Sequence, residues 1–303
     1  MTEKLITIEE TLTASDVTTA LTTGPYLIYS QMFEAPRRPL VFLAVMGEDK
    51  SLIGNNGTTI KFMSMSHLTA SEDTEANIIN PSIGMGAADK SLSSALVTID
   101  RVIYSAVELS DILLEDYPKI DWVQKNLGNM GAAVLEKLDA NVKDVLVAGG
   151  TSVYSGTNLD YGNVVDALSA MENNNWTADD VTVPFLIVSP DVAGRLMKDT
   201  TFVDARRYTA YEVAKMVEGE IGLFAGCRVL KTSLLNGVGY GFIVFPPDSK
   251  YGPIGLIAWK REMTVKNDYY TKNAFTYYVA SIRAKAVITQ ALGVGKLTIT
   301  SSP

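Results

Sequence analysis

The stretch MVEGEIGLFAGCRVLKTS, residues 216–233, sets Gly219, Gly222 and Gly226 close together ahead of a short apolar run. Closely spaced glycines can cradle a phosphate, because backbone N–H groups reach an anion best where no side chain intervenes. Nucleotide loops use G-x-G-x-x-G or G-x-x-x-x-G-K-[ST], entered from a strand and left by a helix. Here the spacing is G-x-x-G-x-x-x-G, with a helical pattern before it and a strand pattern after it. The expectation is structural: Gly219 caps a helix, and Gly222 and Gly226 turn the chain into the strand.

The chain has one histidine, His67, and one cysteine, Cys227. A Ser-His-Asp mechanism would have to use His67 as base. Its neighbours Ser64 and Ser66 lie on a strand pattern whose successive residues alternate faces, and no G-x-S-x-G elbow occurs. Cys227 stands beside Arg228, whose charge can lower a thiol pKa, although a small buried residue is the favoured reading. One Cys and one His make neither a disulfide nor a zinc set. The carboxylate pairs Glu72-Asp73, Glu115-Asp116 and Asp179-Asp180 are read as solvated or capping groups rather than acid/base or magnesium sites. Arg206 and Arg207, between aromatic residues in DARRYTAYE (204–212), are read as interface or ion-pair residues. No catalytic, cofactor-binding or metal-ligating residue is assigned, and no cofactor is expected.

Composition narrows the class further. A chain of 303 residues with 47% hydrophobic and 20% charged residues can bury a large core and reads as globular. A net charge of -8 argues against gripping phosphate backbones, which needs clustered Lys and Arg. The acidic, polar start MTEKLITIEETLTASD lacks signal-peptide order, and no apolar run reaches the length of a membrane span. A reducing cytoplasm without a membrane step is therefore expected.

These residues sit on elements whose order is informative. Residues 1 to about 30 hold seven threonines by position 22, which suits an extended arm. A buried strand is expected at 37–46 and a turn-rich connection at 47–57. Strand runs at 58–70 and 91–109 flank a polar excursion, 71–90, so the pair should form a projecting ribbon. In 117–150, Ile120, Val123, Leu127, Met130, Val134, Leu138, Val142 and Val145 recur every three or four residues. That spacing predicts a helix of about 28 residues, stopped by Gly149-Gly150. After it the pattern is α/β: a helix at 163–174, a strand at 181–189, and a helix at 189–199 opened by Ser189, Pro190 and Asp191. A further helix covers 210–219, strands lie in CRVLKTSLL and YGFIVFP around the turn NGVG, and the last fifty residues carry at least two strands.

This order resembles the major capsid proteins of tailed double-stranded-DNA viruses, a fold shared with encapsulin shells. The resemblance covers nearly the whole chain. It is carried by VTVPFLIVSPDVAGRLMKD, similar to the family's strand, Ser-Pro turn and helix, and by MVEGEIGLFAGCRVLKTSLL, similar to its Gly-x-Ile-Gly turn and strand. The resemblance implies an α+β fold with an N-terminal arm (1–35), an extended loop with flanking strands (36–110), and a peripheral domain with a spine helix (111–150). It further implies an axial domain (151–247) and return strands of the peripheral domain (248–303). It implies a non-enzymatic virion protein that self-assembles as pentamers and hexamers into an icosahedral head, formed in the host cytoplasm. The head would enclose double-stranded DNA without sequence-specific binding, with separate scaffolding, portal and decoration proteins as further partners. Nothing at the N-terminus resembles the helical scaffolding segment of some members. Some members join neighbours by a Lys–Asn isopeptide bond; Lys50 and Lys90 flank the expected loop, but no motif identifies a partner Asn or a catalytic carboxylate, so no crosslink is assigned. Two other readings stay open: an encapsulin-like compartment around a cargo enzyme, and an α/β enzyme with a carboxylate-bound metal.

Overall fold

The computed structural model describes residues 37–65, 92–116, 122–178, 183–204, 219–237, 239–248 and 252–299. The expected arm (1–35), the excursion 71–90, His67, Ser66, Glu72-Asp73, Lys90, Asp179-Asp180, Arg206, Arg207 and the expected helix before Gly219 lie outside them. In chain order the helices are α1 (Val41–Ala44), α2 (Asp111–Asp116), α3 (Trp122–Gly149), α4 (Tyr161–Glu172) and α5 (Pro190–Leu196). The strands are β1 (Gly47–Asp49), β2 (Thr59–Met65), β3 (Leu92–Thr98), β4 (Ile103–Ser110), β5 (Thr151–Gly156), β6 (Phe185–Val188), β7 (Val203–Asp204), β8 (Glu220–Phe224), β9 (Cys227–Lys231), β10 (Tyr240–Val244), β11 (Gly255–Tyr270), β12 (Phe275–Ile288) and β13 (Val294–Ile299). The chain divides into two units, and the division falls inside α3, β11 and β12.

The smaller unit holds Val102–Lys137 and Glu262–Ile282. Its strand β4 pairs antiparallel with Phe275–Ile282 of β12 in unbroken register. Alternation along β4 turns Leu109 and Val107 inward, where they meet Leu113 of α2, Trp122 and Val123 of α3, and Tyr278. Tyr269 donates from its hydroxyl to Asp111 Oδ2 at 2.6 Å, and this bond holds the phenol above its ordinary pKa. Arg38 donates to the Glu136 carbonyl at 2.6 Å and Arg37 to Asn129 Oδ1 at 2.8 Å, fixing the incoming chain on α3.

The larger unit is built on a seven-stranded mixed sheet in the order β5-β13-β10-β6-β9-β8-β7. Its central strand β6 is buried at every position, as a strand covered on both faces must be. Core side chains include Phe42, Phe242, Phe245, Leu186, Ile187 and Leu230. α5 follows β6 directly: Ser189 accepts the Val192 N–H at 3.4 Å, Pro190 stands at the start, and Asp191 lies in the first turn. α4 is capped by Asp160, which accepts the Asn163 N–H at 2.9 Å. At 28 residues α3 would span about 42 Å. Its buried positions run Met130, Val134, Leu138, Val142, Leu146, so the stripe ends on Leu146 rather than Val145.

Four local expectations change. Residues 37–46 hold one helical turn, α1, rather than a strand. Short apolar runs do not reveal their period, and here Asp139 of α3 supplies a remote cap to the Leu43 N–H. The run 91–109 is two strands, broken between Ile99 and Val102. Gly222 lies within β8, where a Cβ would fall on the Val203 carbonyl oxygen, so the close approach of β7 requires glycine there. The turn near Gly237 does not join a hairpin, because β6 lies between β9 and β10. The hairpin is one step earlier: Phe224 faces Cys227 across Ala225 and Gly226, at φ 49° and 77°. Two left-handed residues are the signature of a type I′ turn.

Candidate assembly surfaces

Among the described residues, Cys227 and Gly219 are held in structural roles. Cys227 is fully buried, and burial pushes its thiol up to about 12. The neighbouring Arg228 does not activate it; its guanidinium donates to the buried Glu220 carboxylate at 3.1 Å. Gly219, at φ 87°, has Val41, Pro39 and the Lys231 carbonyl where a side chain would go, so the loop is closed by packing. Ser64 lies in β2 opposite Ser93, and Glu115 is exposed in α2. Lys50 pairs with Glu48 at 3.4 Å on the surface. Among the described residues no three His, Cys, Asp or Glu side chains converge on a point that could hold a metal. No described helix is long and apolar enough to cross a membrane.

What the larger unit does offer is a ribbon. β2 and β3 pair antiparallel from Thr59↔Thr98 to Met65↔Leu92 and form a two-stranded sheet of their own. Such a hairpin is marginal in water unless something packs on it. At its root Leu52, Val97, Ile99 and Ala258 form a small core with Ile60, Phe62 and Val287. Three cations pin that root. Lys260 donates to the carbonyls of Leu52, at 3.2 Å, and Asn55. Arg283 donates to the Ile99 carbonyl at 3.3 Å, and Lys285 to the Thr98 carbonyl at 2.9 Å and Asp100 Oδ1 at 3.1 Å. The Lys285 ammonium holds the Asp100 carboxyl below its ordinary pKa. Beyond the root Leu96 is 69% exposed. Arg283, Lys285 and Val287 share one face of β12 by strand alternation, a signal legible as a period of two; their carbonyl partners, nearly two hundred positions upstream, were not.

The strand edges differ in how they are protected. β5 closes one end of the seven-stranded sheet, and its register to β13 skips Val153, the mark of a bulge that blunts an edge. At the other end β7 is only two residues long. In the smaller unit β4 runs for eight residues without a bulge and pairs on one side only among the described residues. It carries no Lys, Arg or Pro, and Tyr104 is 67% exposed. An edge strand of this length without a bulge is one to which a further strand can add.

The whole arrangement has counterparts among solved structures. A chain from Mycobacterium phage Che8 superposes with a TM-score of 0.68 at 14% identity, covering 92% of this chain and 98% of the other. The capsid of Cyanophage P-SCSP1u gives 0.66 at 15% identity, over 92% and 94%. This is the tailed-phage capsid fold. Capsids of bacteriophage PhiM1, of a native GTA particle and of Ralstonia phage GP4 match over similar lengths. A virus-like particle from Pyrococcus furiosus shares the fold at a TM-score of 0.51 and 12% identity, over 84% of this chain and 91% of the other. No family model and no curated protein matches by sequence. The likeness that the motifs suggested therefore resides in the capsid fold, with sequences far diverged.

Proposed function

We propose that the chain is a structural major capsid protein that self-assembles into an icosahedral head enclosing viral double-stranded DNA. The observation that carries this reading is the capsid fold itself, matched from end to end of solved phage chains. The ribbon and the open β4 edge support it, since each leaves surface that a neighbouring copy can bury at roughly 25 cal/mol per Å² of apolar area. On this reading 1–35 is the arm, 36–110 the extended loop and its strands, 111–150 the peripheral domain with its spine, 151–247 the axial domain and 248–303 the peripheral return. The protein acts without catalysis in the virion, after assembly in the host cytoplasm with scaffolding, portal and decoration proteins. Its net charge of -8 suits a wall along which packed DNA slides rather than sticks.

A second reading, a compartment shell around a cargo enzyme, is favoured by one observation, the fold shared with the Pyrococcus furiosus particle. Purified recombinant protein, fractionated by size and viewed by negative-stain electron microscopy, tests both. Closed shells or rings of five and six support the shell class; nuclease-protected DNA inside selects the head, and a co-purifying enzyme selects the compartment. A monomer or dimer that never assembles, even with neighbouring genes co-expressed, overturns both.

A further inference from the structure

The root of the ribbon carries the sequence Asn55-Asn56-Gly57, between Leu52, which is buried, and Thr59, where β2 begins. Asn56 and Gly57 are exposed, and Gly57 stands at φ 100° with nothing within 4 Å of where a Cβ would sit. Among the described residues the Gly57 N–H and the Asn56 side chain have no hydrogen-bond partner. Asn55, by contrast, is tied: its side-chain amide donates to the Ser51 carbonyl at 2.6 Å and its own carbonyl accepts from Lys260.

We propose that Asn56 is a self-modification site, a spontaneously deamidating asparagine placed at the base of the ribbon. The nucleophile is the Gly57 backbone nitrogen, which is unhindered because glycine lacks a side chain and which no acceptor holds back. It forms a bond to Asn56 Cγ, the Cγ–Nδ2 bond breaks, and Nδ2 leaves as ammonia with the proton from the Gly57 nitrogen. Water then opens the five-membered imide. Attack at Cγ gives aspartate in the normal backbone; attack at the main-chain carbonyl gives isoaspartate, with the chain routed through Cβ and Cγ. One water is consumed, one ammonia is released, and no oxidant or reductant takes part.

The same dipeptide occurs at Asn236-Gly237 and serves as an internal comparison. Asn236 ends a short 3-10 turn, its N–H donating to the Ser233 carbonyl at 3.0 Å, and is held at ψ 127°. Ring closure needs the following nitrogen eclipsed with Cβ, and that ψ turns the Gly237 nitrogen away. Asn56, whose N–H makes no such turn bond among the described residues, is expected to react first. Its isoaspartate lengthens the backbone between the carbonyl gripped by Lys260 and the first residue of β2, and adds a negative charge there.

The experiment is to age the full-length protein in mildly alkaline and mildly acidic buffer, digest it, and follow both peptides by mass spectrometry with isoaspartyl-methyltransferase labelling. The Asn56 peptide is expected to exchange NH2 for OH several-fold faster than the Asn236 peptide, and faster in alkali. Asn56→Gln, which would need a six-membered ring, stays unlabelled at that position. Aged wild-type protein is cut by trypsin at the exposed Lys61 faster than aged Asn56→Gln protein. Conversion at Asn236 that equals or exceeds that at Asn56, or an Asn56 peptide unchanged after prolonged ageing, overturns the proposal.

Discussion

Asp139, buried in the middle of α3, accepts the backbone N–H of Leu43 at 3.0 Å, so one carboxylate caps a helix 96 residues upstream. Leu40, at the local cap position, gives α1 no side-chain bond. The first N–H groups of any helix lack intrahelical partners, and leaving a buried one unpaired costs about 1–3 kcal/mol. Asp139→Ala is expected to lower stability in urea unfolding by that amount, and Asp139→Asn, which keeps an acceptor, by clearly less. Equal losses for the two would show that the hydrogen bond is not what Asp139 contributes.

Glu220 and Arg228 form a pair whose carboxylate is wholly buried and whose guanidinium side chain is 15% exposed. Removing one partner of a buried pair strands the other and typically costs about 3–5 kcal/mol, whereas replacing both with apolar groups can be near neutral. Glu220→Leu should therefore destabilise strongly, and adding Arg228→Leu should recover part of the loss. A double-mutant cycle with additive effects would contradict this coupling.

Gly222 and Gly226 look equivalent in sequence and are not. A Cβ on Gly222 would meet the Val203 carbonyl and the Phe202 ring, whereas one on Gly226 would meet nothing. Gly226→Ala should cost about 1–2 kcal/mol, the backbone penalty of a left-handed residue. Gly222→Ala should cost more and detach β7 from β8, visible as faster amide exchange at Leu223.

The raised thiol pKa of Cys227 fixes a pH dependence. The group is held protonated in the folded state, up to about 12, against an ordinary value of 9.0. Its contribution to stability is therefore complete below pH 9 and is lost as pH rises toward 12, because the unfolded chain releases the proton first. Native protein should resist thiol reagents at neutral pH and react on unfolding. Cys227→Ala should flatten the alkaline part of the stability curve; an unchanged slope would assign it to other groups.

Leu96 separates assembly from folding. It is 69% exposed on the ribbon, so Leu96→Asp should leave the stability of the isolated subunit within about 0.5 kcal/mol. If a neighbouring copy covers the ribbon, the same change abolishes shells on size-exclusion chromatography and electron microscopy. Normal shells from this variant would remove the ribbon face from the subunit contacts.

The parts of this fold that were legible in sequence are those whose causes are local. α3 declared itself through residues recurring every three or four positions and a terminal Gly-Gly, and α5 through Ser189, Pro190 and Asp191 in succession. α1 did not, because its cap comes from Asp139, a polar residue on the buried stripe of another helix. The partners of β13 were equally hidden, since β5 and β10 are separated from it by long stretches of chain. Of the candidate site, the ribbon was foreseen from two strand runs around a polar excursion. The clamp by Lys260, Arg283 and Lys285 was not, for its acceptors are backbone carbonyls that every residue carries. The burial of Glu220 is not legible in sequence, because nothing in its flanking residues marks it as buried.

The placement of β13 between β5 and β10 has a consequence for synthesis. The ribosome delivers β5 and β10 long before β13, so the larger sheet cannot close until residue 299 has left the exit tunnel. A nascent or truncated chain lacks an interior strand and keeps two raw edges, which chaperones and proteases recognise. Closure of the larger sheet is thus withheld until β13 is available, however much of the preceding chain has already folded.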